Sequence, residues 1–358
     1  MHVPMKTRYE QDIALFERRS STVSYALLAL AALLAPALLG EYLLSQLSFV
    51  AIYAIAGVGM MLLVGYAGQI SLGHAAFLAV GAYTEAILRK HGLPFVLTLP
   101  AAGATAALLS VLLAWSTARL AGIYLAMGTL AFAFVVEEVL MRWESLTGGN
   151  RGLSVEGIAL GPFAVAAEWQ FYYLCLGVLA VVLLGAVNLL RSRSGRALTA
   201  IRDSEISAQS LGIHLALHKS AVLFASALLT GLAGALYAHK IMFITPDQFT
   251  IMTSVELLVL VVVGGLGSLH GAVLGAAFVV MLPQFVIVLR DLFGLSSALQ
   301  SGLDAGVYGL LMVLFMLFEP RGLYGRWVRV KTYLDLFPFY RRGSFRRQRQ
   351  YRKSEQLK

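Results

Sequence analysis

Apolar residues form long stretches along the chain, separated by shorter polar segments. Stretches without Asp, Glu, Lys or Arg cover residues 20–40, 42–84, 91–118, 120–136, 169–190, 220–239, 257–289 and 305–318. A helix needs about 20 apolar residues to cross a bilayer, so most stretches predict one membrane span. The stretch 42–84, and 257–289 extended back to Ile251, are each long enough for two. The pattern predicts an all-α, polytopic integral membrane protein with about ten transmembrane helices.

Composition supports this class and excludes others. Hydrophobic residues make up 59% of the 358 residues and charged residues 13%, which leaves too little polar surface for a soluble fold. The net charge of +9 comes from the C-terminal segment, because residues 321–358 hold 12 Lys and Arg against Asp335 and Glu355. The single cysteine, Cys175, excludes an internal disulfide framework and a metal site built on several thiolates.

The distribution of Lys and Arg predicts the orientation, because cytoplasmic loops carry an excess of these residues. With the N-terminus inside, the inner segments hold 22 and the outer loops six of the 28 Lys and Arg residues. We expect a cytoplasmic segment 1–19, a transmembrane domain 20–320 and a basic cytoplasmic tail 321–358. In that tail, aromatic residues such as Trp327 alternate with basic ones, which favours contact with anionic membrane lipid over nucleic acid.

A glycine-rich segment from Gly65 to His74 divides the first long stretch. The apolar run after it, 75–87, has only 13 residues and is too short to cross a bilayer. The following helix should therefore start or break below the membrane surface, with Gln69, Ser71 and His74 on irregular backbone that lines a polar pathway. The alternative is a packing turn in which a carbonyl group satisfies His74.

A second glycine-rich segment, Gly264 to Gly271, divides the second long stretch, and in the predicted topology it lies on the same inner side. Gly264 and Gly265 are candidate pathway residues. Glu256 lies a few residues into its span, where an ionisable group is costly and indicates function. An interfacial carboxylate with a basic or backbone partner is the alternative. Glu137 and Glu138 are interpreted as the wetted end of the fifth span.

The longest inner loop, 191–219, carries helix-capping signals. Asp203 or Ser204 can cap a helix of about eight residues that ends at Gly212, and Ser194 can cap a shorter helix before it. Two short helices would form a compact knob on the cytoplasmic side. An amphipathic segment on the lipid surface is the alternative. On the outer side, 143–153 is rich in turn-forming residues and predicts an ordered loop. A seat for an external partner or a substrate is the alternative.

Together these segments resemble the permease family of bacterial ABC importers for branched-chain amino acids, in particular its larger, M-type members. The motifs that carry the resemblance are GYAGQISLGHAAF at 65–77, WESLTGGNRGL at 143–153, GRALTAIRDSEISAQSLG at 195–212, GLAGALYAH at 231–239, SVELLVLVVVGGLG at 254–267 and PRGLYG at 320–325.

The resemblance implies an ABC importer permease fold, in a transport subunit of the bacterial inner membrane rather than an enzyme. It implies alternating access for leucine, isoleucine or valine. Its expected partners are an H-type permease, two cytoplasmic ATP-binding subunits and a periplasmic amino-acid-binding protein. ATP and Mg would bind the ATPase subunits, and this chain has no Walker sequence of the form GxxxxGK[ST]. The loop within 191–219 would dock on an ATPase through Arg196, Arg202, Asp203, Ser204, Glu205, Ala208 and Gly212.

Two other transporter classes remain as alternatives. A related ABC permease for urea or short amides would share the architecture. An ion-coupled secondary transporter would also use broken helices, but it normally places ionisable residues deep in its spans. The predicted spans of this chain are almost free of such residues, which disfavours this class.

Overall fold

This computed structural model describes residues 19–117, 122–160, 163–165, 167–292 and 322–336, with positions 306, 309, 310, 313 and 317. Several predicted features lie outside the described residues: positions 1–18 of the predicted N-terminal segment 1–19, Arg119, most of the predicted span 305–318, and the tail beyond Leu336.

Most of the described chain is helical. The long helices are α1 (Arg19–Leu38), α2 (Glu41–Met60, continued by a π-helical turn Met61–Tyr66), α3 (His74–Lys90), α4 (Phe95–Thr117), α5 (Ile123–Arg142), α7 (Glu168–Arg191), α10 (Leu215–Ile241), α11 (Ile251–Gly264) and α12 (Leu269–Leu292). The shorter helices are α6 (Glu144–Thr147), α8 (Arg193–Asp203), α9 (Glu205–Ser210) and α13 (Gly322–Leu336).

Six segments of the described chain are long and apolar enough to cross a membrane. They are Glu41–Tyr66, Phe95–Trp115, Ile123–Arg142, Glu168–Arg191, Leu215–Ile241 and Pro246–Gly264, with shorter apolar helices at Val23–Leu38 and Leu269–Phe285. A polytopic, mostly helical protein is therefore confirmed, whereas the predicted count of about ten spans is not reached in the described residues.

The chain is not purely helical, which corrects the all-α expectation in detail. Strand β1 (Leu153–Ser154) pairs antiparallel with β4 (Phe243–Ile244), and β2 (Ile158–Leu160) pairs with β3 (Phe163–Val165). The predicted outer loop 143–153 is ordered, as expected, because it contains α6, a 3₁₀ turn and the paired strand β1. These ribbons satisfy backbone groups between helices.

Helix α5 extends beyond its predicted end. Glu137 and Glu138 lie inside the helix, which continues to Arg142, and Glu138 is exposed. The interpretation of this pair as the water-exposed end of a membrane span stays a prediction, because a helix can continue beyond the membrane surface. Glu138 forms an ion pair with Arg142 one turn later, and an exposed i,i+4 pair of this kind supports an additional helical turn.

Helices α3, α4 and α10 form the centre of the bundle. Glycines allow their backbones to approach closely: a β-carbon on Gly81 of α3 would lie 2.1 Å from the Gly231 carbonyl oxygen, and one on Gly234 of α10 would lie 2.0 Å from that of Leu78. Membrane helices use small residues for such close packing. Helices α3 and α10 are parallel, since His74 contacts Ser226 and Glu85 contacts His239.

Candidate functional site

Helix α3 begins inside the bundle. Its first residue, His74, lies with Nε2 2.8 Å from the hydroxyl of Ser226, which is the twelfth of the 27 residues of α10. Residues 67–73, here named the first break, are not helical. They lead from the π-helical turn at the end of α2 back to the middle of α10.

Ser71 and His74 form a closed hydrogen-bond network at the end of the first break. Both residues are fully buried. The Ser226 hydroxyl donates to the Gly59 carbonyl at 2.7 Å, so its single proton is used and it must accept from His74 Nε2. In a neutral imidazole the other ring nitrogen is an acceptor, and His74 Nδ1 then accepts from the Ser71 hydroxyl at 3.0 Å. Serine hydroxyls, rather than a carbonyl group, therefore satisfy a neutral His74.

Gln69 differs from these two residues. Its backbone N–H donates to the Leu63 carbonyl at 3.0 Å, and its side chain is only 6% exposed. Its side-chain Nε2 has no hydrogen-bond partner among the described residues. A buried amide donor without a partner is uncommon and needs a physical reason, such as a water molecule or a polar ligand.

The start of α11 meets the start of α3. The Ala75 backbone N–H donates to the hydroxyl of Ser254, the fourth residue of α11, at 2.9 Å. Thr129 of α5 holds the same region by accepting from the Leu72 N–H at 2.9 Å. Two helix N-termini, each with a partial positive charge, therefore come together within the bundle. Glu256 follows on α11, half-buried, and has no ion pair within the described part of the chain.

The second break, Gly265–Ser268, separates α11 from α12. Gly264 is the last residue of α11, and Gly265 packs against Gly322 at the start of α13. The break reaches the end of α2, because the Gly267 N–H lies 3.3 Å from the sulfur of Met61. We call this side of the bundle the break end. Glu256 lies nine residues before Gly265, about 13 Å along the helix, and does not belong to this cluster.

The predicted helix pair of the inner loop is present, but its caps differ in part from the prediction. Ser192, not Ser194, caps α8 by accepting from the Gly195 N–H. Asp203 is the last residue of α8, and Ser204 caps α9 by accepting from the Ser207 N–H. The first helix has 11 residues and the second six, so the predicted order of lengths is wrong. The sequence reading missed Ser192 because Ser194 also fits the capping pattern.

The helix pair α8–α9 is fixed to the break end. The buried side of α8 includes Leu198 and Ile201, and Ala208 is buried on α9. Glu205 accepts from Lys219 in the first turns of α10 at 2.7 Å. Gly212 follows α9 with φ +81°, a left-handed conformation that glycine adopts without strain. In contrast, Arg196 is exposed and donates to the nearby Arg191 carbonyl.

Arg202 is the residue of this pair that contacts the breaks. Its Nη1 donates to the Gly65 carbonyl at 3.0 Å, while Nε and Nη2 donate to Asp203 Oδ1 at 3.2 Å. A β-carbon on Gly68 would lie 3.0 Å from Arg202 Cγ, and one on Gly267 would lie 3.3 Å from Nη1. Arg202 thus lies against both breaks.

A buried polar cluster lies away from the break end and was missed by sequence reasoning. Glu85 Oε1 lies 2.8 Å from His239 Nε2 and accepts from the Thr98 hydroxyl at 2.6 Å. Both side chains of the pair are almost completely buried. One turn further along α3, Arg89 donates to the Gly157 carbonyl at 2.6 Å. The sequence feature that could have indicated this cluster is the position of Glu85 and His239, each at the edge of an apolar stretch.

Comparisons of the sequence with known proteins find related permeases. The family model for the permease component of branched-chain amino acid transport systems matches residues 42–317. The high-affinity branched-chain amino acid transport system permease protein LivM of Escherichia coli K12 is 35% identical over 297 residues, and that of Salmonella typhimurium is 34% identical over the same length. Each alignment covers 76% of this chain and 67% of the relative.

A second type of relative also matches. The permease protein LivH of Salmonella typhimurium is 25% identical over 292 residues, which cover 76% of this chain and 91% of the relative. No solved structure matches the chain significantly. The match to the family model and the identity to two LivM proteins establish that the chain belongs to the family of permease components of branched-chain amino acid transport systems.

Proposed function

We propose that this chain is the transmembrane permease subunit of an ATP-driven importer that moves leucine, isoleucine and valine across the bacterial inner membrane by alternating access. The observation that carries the proposal is the 35% identity to a LivM protein over 76% of the chain. Six described segments long enough to span a membrane support the role of a transport subunit rather than an enzyme.

The proposed partners follow from this role. Similarity to both LivM and LivH supports a pair of permease subunits, in which an H-type chain accompanies this one. Two cytoplasmic ATP-binding subunits would bind ATP and Mg, and a periplasmic amino-acid-binding protein would deliver the substrate. Membrane lipid surrounds the apolar helices.

The proposed substrate pathway passes the first break and the start of α11. A zwitterionic amino acid loses its hydration in hydrocarbon, so its path needs polar groups of both signs. The meeting N-termini of α3 and α11 offer partial positive charge for a carboxylate, and the unpartnered amide of Gln69 offers a donor. Glu256 is a half-buried acceptor further along α11, and Gly264 and Gly265 allow backbone to line the path. Ser71 and His74 shape the site, because their own groups are already paired.

Two substitutions test this pathway. Gln69→Leu removes the unpartnered donor, and Ser71→Ala removes the hydroxyl that donates to His74; both should lower leucine uptake while the complex still assembles. Ser110→Ala is the matched control, since Ser110 is a buried serine that donates only to the Ala107 carbonyl of its own helix. Normal uptake by both test variants would leave the first break with a packing role alone.

The helix pair α8–α9 is the proposed docking segment for an ATPase subunit. Its inner side is fixed to the bundle, and its outer side exposes Ile206 at 81% and Leu211 at 78%. Large exposed apolar residues on a short, capped knob are typical of an interaction surface. Ile206→Asp should therefore release the ATPase subunits from the purified complex, and retention at full stoichiometry would contradict this docking surface.

The proposed orientation places both termini and residues 191–219 in the cytoplasm. The excess of Lys and Arg in the inner segments supports it. An alkaline phosphatase fusion after Lys358 should be inactive, because that enzyme folds only in the periplasm. Phosphatase activity from this fusion would contradict the orientation.

Competition for uptake tests the substrate. Membrane vesicles that contain the importer should take up radiolabelled leucine only with the binding protein present, and excess isoleucine or valine should reduce that uptake. Excess urea or a short amide should not. Uptake of labelled urea in place of leucine would instead support the related urea and amide permeases.

A further inference from the structure

At the end of α2, no backbone group of the described residues donates to the Gly65 carbonyl. A helix end leaves its last carbonyl groups without partners in the helix. At this end the Leu62 carbonyl accepts from the Ala67 N–H, and the Leu63 carbonyl accepts from the Gln69 N–H. The Gly65 carbonyl accepts from Arg202. A cation at a helix C-terminus is also favoured by the helix dipole, so Arg202 fixes the place where the chain leaves α2 and enters the first break.

The second break is held at the same point. Gly267 has φ +82°, and a β-carbon on it would lie 3.3 Å from Arg202 Nη1. A β-carbon on Gly65 would lie only 2.8 Å from the Gly267 nitrogen. The ends of α2 and α11 are therefore in contact, and one guanidinium lies against both.

The Arg202 side chain points towards Gly65 and away from the outer surface of the helix pair. Asp203 accepts from Nε and Nη2, which orients the planar guanidinium so that Nη1 faces Gly65. The backbone of Arg202 belongs to α8, a helix anchored by the buried Ile201. A displacement of α8 thus carries the guanidinium with it.

The geometry points to Arg202 as a positioning residue that transmits movement of the α8–α9 pair to both breaks. This inference rests on the function proposed above. When nucleotide binding moves the ATPase subunits, α8–α9 moves with them, and the Arg202 hydrogen bond shifts the Gly65 carbonyl. The first break and the adjoining Gly267 then shift together, which changes access to the start of α3.

Hydrogen exchange in the complete importer, reconstituted in lipid nanodiscs, measures this transmission directly. In the unsubstituted complex, ATP with orthovanadate should change exchange in residues 191–219, 61–75 and 264–271. In Arg202→Ala the change should persist in 191–219 and disappear from the other two segments. An unchanged response of 61–75 in Arg202→Ala, or no response there in the unsubstituted complex, would overturn the inference.

Milder substitutions of Arg202 allow the test even if the Arg202→Ala complex does not assemble. Arg202→Lys retains a charged donor and should keep part of the response, whereas Arg202→Gln should lose most of it. Leucine transported per ATP hydrolysed should fall about tenfold in Arg202→Ala, the order expected for loss of a hydrogen bond to a charged group. If Arg202→Ala does not assemble, equal responses in Arg202→Lys, Arg202→Gln and the unsubstituted complex would overturn the inference. An unsubstituted complex that hydrolyses ATP without leucine uptake would instead contradict the proposed function. The hydrogen-exchange comparison would still test whether Arg202 transmits the movement.

Discussion

Substitution of Gly234 by alanine tests whether close backbone contact holds the centre of the bundle together. A β-carbon at this position would lie 2.0 Å from the Leu78 carbonyl oxygen and 3.0 Å from the Ala82 nitrogen. Both atoms belong to the backbone of α3 and cannot rotate away. Because real β-carbons essentially never come closer than 3.0 Å to such atoms, α3 and α10 must separate by about 1.0 Å (3.0 minus 2.0).

The magnitude follows from two opposing terms. Overpacking of a close contact costs about 1–3 kcal/mol, and a backbone clash of this size belongs at the upper end. Alanine recovers about 1 kcal/mol of helix propensity relative to glycine. We therefore expect Gly234→Ala to lower the free energy of unfolding by about 2 kcal/mol. The same displacement should loosen the contact between His74 and Ser226, because the same two helices carry them.

The assay is SDS-induced unfolding of the purified chain in mixed micelles, followed by circular dichroism. Gly177→Ala on α7 is the matched control, since a β-carbon there would meet nothing within 4 Å. This control should be neutral or slightly more stable than the unsubstituted protein. Equal stability of Gly234→Ala and Gly177→Ala would refute close packing as the reason for glycine at position 234.

Two further predictions concern polar groups. His239→Ala leaves the buried Glu85 carboxyl with only the Thr98 hydroxyl among the described residues. Loss of one partner from a buried hydrogen bond should lower the free energy of unfolding by about 1–3 kcal/mol, whereas joint replacement of Glu85 and His239 by leucine should cost much less. An equal cost of the two changes in the same SDS assay would refute the pairing. Ser204→Ala removes the cap of α9 and should destabilise that helix by about 1 kcal/mol. Hydrogen exchange should become faster in 205–210 but not in 193–203. Unchanged exchange in 205–210 would show that the cap is not needed.

Features that depend on the local sequence pattern could be predicted from the sequence. Long apolar runs predicted most membrane helices because a bilayer requires length and low polarity together. The 13-residue run after His74 pointed to a helix too short to cross unaided, and α3 has 17 residues and begins beside Ser226. Ser204 and Gly212 also follow local rules, because capping and left-handed backbone depend on residue type.

Features that depend on packing between distant segments could not be predicted. Arg202 was recognised as part of the inner loop, but its contact with Gly65 joins residues 137 positions apart. The pairing of Glu85 with His239 spans 154 positions, and each residue alone resembles the polar end of an apolar stretch. Likewise, the contact between Ala75, next to the first break, and Ser254 at the start of α11 was not predicted. The glycine pattern of the sequence indicated only the second break, at the other end of α11.

Reconstituted transport tests the central claim most directly. The chain would be purified with an H-type permease and two ATPase subunits and inserted into liposomes. The binding protein and radiolabelled leucine would be supplied on the periplasmic side of the complex, and ATP on its cytoplasmic side. The account predicts leucine accumulation against its gradient that needs ATP and the binding protein, and that stops when this chain is omitted. ATP hydrolysis stimulated by the loaded binding protein without any leucine accumulation, or equal accumulation when this chain is omitted, would contradict it.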